Sequence, residues 1–326
     1  MKKRKKKKLK LRKQVYYVFI LIILLAIGIP YGISRYNEYR YQQTNEYKLL
    51  QKGYTLEEVK LMQGRLSENN LNIFLATEKN EYVIPLLNQK YFLEKNLFSY
   101  IEYIEEEEDY SDSMSDVVAL VNTHATHKWY QYDLDSDLNK KERVIVNKFF
   151  KLPEDYTPDN LENISLKYSY GSLGSNKLTK EAYEHFLELW NAAHQEGYYL
   201  MVTSSYRDYQ SQKEIYDYRK STQGERKADE TAARPGHSEH QTGLVVDMTS
   251  TTEPYVEEFT NSQAYQWLKA NAHKYGYIER YQEGKTYITG YSPESWHWRY
   301  VGVETATKLY EEQITYDEYY AYYIEK

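Results

Sequence analysis

Eight histidines and no cysteine are spread over 326 residues. Three of those histidines fall in two short stretches that also carry isolated carboxylates. The first, RPGHSEHQTGLVVDM (residues 234–248), sets His237 and His240 ahead of Gly243 and then Asp247, the aspartate embedded among valines. An isolated carboxylate among apolar neighbours is expensive to bury without a positive partner. The second is Glu294-Ser295-Trp296-His297-Trp298, a histidine flanked by tryptophans with a glutamate three residues before it. Two histidines, one carboxylate ligand and a free glutamate are the parts of a hydrolytic zinc site. Three protein ligands leave a fourth position for water, the metal brings that water's pKa toward neutrality, and the glutamate accepts its proton. The spacing by itself leaves the alternative open, because His-Glu-x-x-His is absent and satisfied core or surface histidines are common.

Elements that could position these groups can be read from periodicity. Leu244–Met248 reads as a buried strand, as does Tyr199–Thr203. Lys180–Glu196 (KEAYEHFLELWNAAHQE) is an amphipathic helix with Ala182, Phe186, Leu189, Trp190 and Ala193 at helical spacing, and Gly197 stands where a terminator belongs. Gln210–Tyr218 and Ser262–Tyr275 are further helices, the latter closed by Gly276. VVALVN (117–122), RVIVN (143–147) and Thr286–Thr289 read as short strands. Leu49–Leu75 reads as small helices, with capping-box spacing at Thr55 and Glu58, and Tyr91–Ile104 as another. The acidic run Glu105–Asp109 reads as a solvated linker, which places a boundary near residue 115. Strands and helices without a regular βαβ repeat indicate an α+β fold.

The formal charge of -6 hides an asymmetry: residues 1–13 hold ten basic residues and no acid, so everything after them is strongly acidic. That acidity argues against nucleic-acid partners. The basic stretch abuts Val15–Ile33, nineteen residues without a charge and enough to cross a bilayer as a helix. A cleaved secretory signal is usually shorter and ends in a small-x-small site, which is not found before Ser34-Arg35-Tyr36. An uncleaved anchor is therefore expected, with the basic end in the cytoplasm and the rest outside. Without cysteine there is neither a lipid-anchored cysteine nor a disulfide, so an exported domain must rely on its core or on a bound metal. The 39 tyrosines against eight phenylalanines, many in polar stretches such as Tyr36, Tyr39, Tyr41 and Tyr319–Tyr322, read as compositional bias and not as an aromatic platform.

Beyond the bare residue types, SEHQTGLVVD (Ser238–Asp247) is similar to the Ser-x-His-x-x-Gly-x-Ala-x-Asp signature of VanY-type D-alanyl-D-alanine carboxypeptidases, zinc peptidases with L,D-carboxypeptidase relatives. Val245 stands where that family usually has alanine. Glu294-Ser295-Trp296-His297 resembles its Glu-x-Trp-His block, with Ser295 where proline is frequent. SSYRDYQSQ (204–212) resembles its Ser-x-Tyr-Arg-x-x-x-x-Gln segment, and VNKFFKLPEDYTPDNL its leading segment. Three separated motifs in the right order make the resemblance specific over residues 116–305.

Carried over position by position, the resemblance implies zinc ligands His240, Asp247 and His297 with Glu294 as general base. It implies that Arg207 and Gln212 line the substrate site, where a fixed guanidinium suits a terminal carboxylate or an oxyanion. Ser238, Tyr206 and Trp296 are the other expected substrate contacts. The competing reading of Arg207 is a surface ion pair with Asp208 or Asp217. His237, set by strand alternation on the face opposite His240, is expected at the site rim. His124, His127, His185, His194 and His273 match no motif and are expected to be structural or at the surface.

The expected organisation is a basic cytoplasmic tail (1–14), a transmembrane helix (15–33), a stalk and small helical region (34–115), and a zinc carboxypeptidase domain (116–326) with a small antiparallel sheet flanked by helices. The expected activity is removal of the C-terminal D-alanine from peptidoglycan stem peptides outside the cell. An L,D-carboxypeptidase, an endopeptidase and a catalytically silent wall-binding module are the alternatives.

Overall fold

Residues 13–106, 113–169 and 176–325 are described by the structure, a computed structural model. The basic tail before Lys13 and the acidic run from residue 107 lie outside the described residues. Contacts divide the chain into two compact units, Met1–Asn88 and Gln89–Lys326.

In the first unit the uncharged run forms part of helix α1 (Lys13–Gln42), which buries none of its residues within the chain and is long and apolar enough to cross a membrane. The helix continues well past Ile33. Residues 34–42, expected as a polar stalk, are helical, and Arg35 and Glu38 pair at 3.2 Å one turn apart. Four short helices follow: α2 (Asn45–Gln51), α3 (Leu56–Arg65), α4 (Glu68–Ala76) and α5 (Val83–Leu87). The capping box expected at the start of α3 is formed reciprocally by Thr55 and Glu58.

The second unit opens with α6 (Leu97–Glu106) and α7 (Met114–Asn122). VVALVN, expected as a strand, is thus the body of a helix. Ser113 accepts a hydrogen bond from the Asp116 amide, and Asp116 accepts one from the Ser113 amide. A short apolar run has no period that separates strand from helix, and the Ser-x-x-Asp cap before it was the overlooked signal. RVIVN is not a strand: Arg143 ends a 3₁₀ turn (Leu138–Arg143), and Val144–Val146 pair with no strand among the described residues. Its carbonyls are taken by side chains instead, Val144 by Arg299 Nη2 at 2.8 Å and Ile145 by Ser136 Oγ at 2.7 Å, while Val144, Ile145 and Val146 are buried. Thr286–Thr289, also expected as a strand, is one helical turn. It closes on Gly290, whose left-handed conformation lets its amide reach the Thr286 carbonyl at 2.8 Å.

Two small two-stranded sheets flank the body: β1 (Leu134–Asp135) with β2 (Phe150–Lys151), and β3 (Leu161–Asn163) with β4 (Lys177–Thr179). The main sheet is antiparallel, with β5 (Leu200–Ser204), β6 (Val245–Ser250), β7 (Tyr277–Glu279) and β8 (His297–Tyr300) in the order β5-β6-β8-β7. Alternation divides its residues between two faces. Leu200, Val202, Val246, Met248, Trp298 and Tyr300 join the main core. That core also takes Ala182, Phe186, Leu189 and Ala193 of α8 (Lys180–Gln195). Burying each such large side chain contributes on the order of 1.5–3 kcal/mol. The opposite face carries Asp247, His297 and Arg299. The fold is α+β, as expected.

The remaining helices are α9 (Tyr209–Gln223), α10 (Glu225–Thr231), α11 (Val256–Phe259), α12 (Gln263–Asn271), α13 (Thr286–Thr289), α14 (Val303–Glu312) and α15 (Tyr316–Tyr319), after which a π-helical turn spans Tyr320–Glu325. Tyr316, Tyr319, Tyr320 and Tyr322 are buried in a second core with Ile145, Ile278 and Val301. The C-terminal tyrosines are therefore packing residues and not mere compositional bias.

Candidate metal centre

Asp247 and His297 are direct partners in the β6–β8 ladder, so their side chains rise from the same face of the sheet at the separation of an opposed pair. His240 reaches the same point from the 3₁₀ turn Glu239–Thr242, which ends at Gly243 with φ of +67°. That left-handed residue turns the chain directly into β6. A β-bulge in β5 at Thr203 shifts the register opposite Asp247, and just beyond it the Ser205 carbonyl takes the His240 Nδ1 hydrogen at 2.6 Å. His240 Nε2 is thereby left facing Asp247 Oδ2 at 3.5 Å, and His297 Nδ1 lies 3.4 Å from Asp247 Oδ1.

All three donor groups lie within 4.8 Å of one another and are buried. Asp247 Oδ1 has no hydrogen-bond partner although it is shielded from solvent, a costly arrangement unless a cation completes it. Two imidazoles and one carboxylate are also the donor types that suit zinc. The residues present fit a divalent metal.

Electrostatics set the ligands apart from the fourth group. Burial, with Arg207 nearby, pushes His240 down to about 3, so its imidazole is neutral. Burial would raise Asp247, but the His297 ring beside it, with the Arg207 guanidinium nearby, outweighs it and holds the carboxylate below its usual range. Burial works against protonation of His297 too, yet Asp247 and Glu239 overcome it and push the ring up to about 9. Glu294, on the loop ahead of β8, approaches His297 Nδ1 at 3.5 Å, and burial pushes its carboxyl up to about 7. A carboxyl near neutrality beside the ligand set has the proton affinity a general base needs.

A cavity of about 320 Å³ opens onto these groups, and Arg207, Gln212, Ser238, Glu294 and Trp296 line it with the three ligands. Arg207 makes no ion pair with Asp208 or Asp217. Asp208 caps α9 through the Ser211 amide, and Asp217 pairs with Lys213. The Arg207 amide is held by the His240 carbonyl at 3.2 Å, and its Nε is buried without a partner. Gln212 donates to the Ala233 carbonyl at 2.7 Å, leaving its Oε1 unpartnered. Tyr206 does not line this cavity; its hydroxyl donates to Thr157 Oγ1 at 3.4 Å. His237 is not at the rim either. The segment joining it to His240 is a turn, not a strand, and His237 is buried with Nδ1 on the Asn147 carbonyl at 2.8 Å and its ring against Tyr130. The other five histidines lie outside the cavity.

Sequence reasoning missed the charged layer behind the ligands. Glu239, beside His240, is fully buried; its Oε2 lies 3.4 Å from His297 Nε2, and its Oε1 accepts from Arg280 Nε and Arg299 Nη1, each at 2.9 Å. Burial would raise Glu239, and the two guanidiniums outweigh it to hold the carboxylate well below the ordinary range. Arg299 shares its face with His297 by the period of two, and the Arg280 amide bonds the His297 carbonyl at 3.3 Å. That periodicity was the available signal for Arg299.

The sequence model of the VanY family, D-alanyl-D-alanine carboxypeptidase, matches residues 175–303. The chain is 40% identical over 180 residues to YodJ of Bacillus subtilis (strain 168), covering 54% of this chain and 66% of YodJ. It is 34% identical over 185 residues to the D-alanyl-D-alanine carboxypeptidase of Enterococcus faecalis (strain ATCC 700802 / V583), covering 54% of this chain and 64% of that protein. The chain thus spans just under two thirds of the length of these relatives. Among solved structures, the LdcB LD-carboxypeptidase is similar at 37% identity with a TM-score of 0.54, over 59% of this chain and 95% of LdcB. Matched by the family model and by these relatives and structure, the chain belongs to the VanY family of D-alanyl-D-alanine carboxypeptidases.

Proposed function

We propose that this protein is a zinc carboxypeptidase that removes the C-terminal D-alanine from peptidoglycan stem peptides. The observation that carries the reading is the meeting of His240, Asp247 and His297 at one buried point, with Glu294 beside them and Arg207 lining the same cavity. A zinc ion held by His240, Asp247 and His297 would supply Lewis-acid chemistry, acidifying water and polarising the scissile carbonyl. Glu294 takes the proton from the attacking water on its carboxylate and returns it to the leaving amine. Arg207, with an unpartnered buried Nε, donates to the substrate's terminal carboxylate or to the oxyanion that develops during attack. Gln212 offers its free Oε1 to a substrate amide, and Ser238 and Trp296 bound the substrate side.

A second reading, hydrolysis of the L,D bond of a tetrapeptide stem, is favoured by the likeness to the LdcB LD-carboxypeptidase over nearly the whole of that chain. Incubation with pentapeptide and tetrapeptide stems, with and without chelator, separates the two. D-alanine released from the pentapeptide alone supports the D,D activity, and release from the tetrapeptide shifts the specificity while leaving the mechanism in place. No release from either stem, with zinc bound, overturns both.

The helix α1 acts in this reading as an uncleaved anchor, with the basic N-terminus inside and the catalytic unit outside, where peptidoglycan lies. The absence of native cysteine allows a direct check. An Asn45→Cys variant in intact cells should react with an impermeant thiol reagent; labelling only after lysis would reverse the topology.

A further inference from the structure

The ionic layer behind His297 does not stop at the matched family region. It continues into the C-terminal segment, where Arg280 gives Nη1 to Asp317 Oδ2 at 2.6 Å and Nη2 to Asp317 Oδ1 at 3.2 Å. Asn147 Nδ2 also donates to Asp317 Oδ1, at 2.8 Å. Glu239, Arg280 and Arg299 are almost fully buried, and Asp317 is 4% exposed. Asp317 lies on α15, beyond residue 303 where the family match ends.

We infer that Asp317 is a positioning residue for the metal centre, acting through Arg280 and Glu239 on the orientation of His297. This rests on the metal site proposed above. Two guanidiniums converge on a single oxygen of Glu239, leaving Oε2 to His297. Without Asp317, the layer of two arginines and one glutamate keeps an uncompensated positive charge beside a cation site. Arg280 also loses its two-point anchor and becomes free to turn both forks onto Glu239, competing with His297 Nε2 for Oε2. Asp317 supplies the missing charge and fixes the guanidinium plane. Glu239 then holds the far nitrogen of His297, so that Nδ1 points at Asp247. Groups that orient a metal-binding histidine from behind typically change metal affinity by about 10–100-fold when removed.

The test uses the full-length chain in detergent micelles and zinc as the probe, with affinity read by competition against a chromophoric chelator. Asp317→Asn should weaken zinc binding by about tenfold or more and alter the visible spectrum of the cobalt-substituted protein. The effect should be absent when Glu239→Gln is already present. A purely structural residue would lower the melting temperature with the zinc affinity and cobalt spectrum unchanged, and that result overturns the inference. If Asp317→Asn fails to fold, Asp317→Glu keeps the charge paired but displaces the carboxylate from Arg280 by one methylene. A loss of zinc affinity is then expected, and unchanged affinity again overturns the inference. A wild-type chain that binds no zinc defeats the metal reading instead. The ring-nitrogen resonances of His297 in the metal-free variant then decide: a shift on replacing Asp317 supports the coupling, and identical resonances overturn it.

Discussion

Asp247 and His297 face each other as a direct pair across β6 and β8, with carboxylate and ring nitrogen 3.4 Å apart although fifty residues separate them in the chain. A slip of one residue in that pairing would send one of the two into the core face. The hydrophobic alternation that buries Val246, Met248, Trp298 and Tyr300 therefore also brings these two candidate ligands together. The candidate metal centre is a by-product of correct sheet packing.

Glu294→Gln keeps the shape of the side chain and removes its capacity to accept a proton. The expected result is a fall in kcat of about 10²–10⁴-fold with zinc retained, read by steady-state kinetics beside metal analysis of the same sample. Activity equal to wild type would remove Glu294 from the base role.

Asp247→Asn exchanges the proposed anionic ligand for a neutral amide between two histidines. Zinc affinity should fall by more than about 100-fold, beyond what loss of a supporting group produces. Equilibrium dialysis measures this directly, and chelator treatment of the wild type should silence it reversibly.

Arg207→Lys retains a charge but loses the planar fork, which is not a conservative change where two-point recognition is used. A loss of about 10²–10³-fold in kcat/KM is expected, with zinc content unchanged. A substrate amidated at its C-terminus should be a poor substrate for the wild type and respond little to the replacement if the guanidinium holds the terminal carboxylate.

Gly243→Ala places a methyl group on a backbone at φ +67°, with the new Cβ 2.7 Å from Leu161 Cδ2. Strain of this kind costs on the order of 1–3 kcal/mol. Chemical denaturation should show that loss, and because His240 sits three residues earlier, zinc affinity should fall with it.

Lys148 is buried with its ammonium on the Asp229 carbonyl at 2.6 Å and 4.3 Å from the Tyr291 ring centre, and burial pushes it down to about 8. Between pH 8 and about 10.5, its unfolded-state value, the unfolded chain binds more protons there than the folded one. Its contribution to stability therefore rises with pH across that window and is lost as pH falls through 8. The slope of the denaturant midpoint against pH from 7.5 to 9.5 should be more positive in the wild type than in Lys148→Met, which leaves the opposing contribution of His297 unchanged. An identical slope in both would contradict the assignment.

How much of this was legible before the fold was known depended on whether the relevant signal was local. The ends of α8, the start of α12, the capping box at Thr55 and the strand around Asp247 rest on neighbours a few residues away, and periodicity with capping chemistry located them. VVALVN, RVIVN and Thr286–Thr289 are short apolar or β-branched runs whose intrinsic preference is weak, and each was decided by partners elsewhere. Ser113 and Asp116 made the first a helix, Arg299 and Ser136 occupied the carbonyls of the second, and Gly290 closed the third into a turn. His237 was misplaced for a related reason: alternation applies to a strand, and the chain there turns.

The sequence by itself determined the candidate ligand types, their order along the chain and the family they resemble, because those properties are carried by residue identity and spacing. It also determined the charge-free segment that forms α1, since length and composition are local. Only the tertiary structure decided that Tyr206 stands away from the cavity, that His237 is a buried packing residue, and that Glu239 is held between two arginines behind His297. It alone linked Asp317 to that layer across 37 residues from Arg280. Such contacts are set by which strands pair and which helix covers them, and the free energy that selects them is the burial of a whole core, not the preference of any one segment.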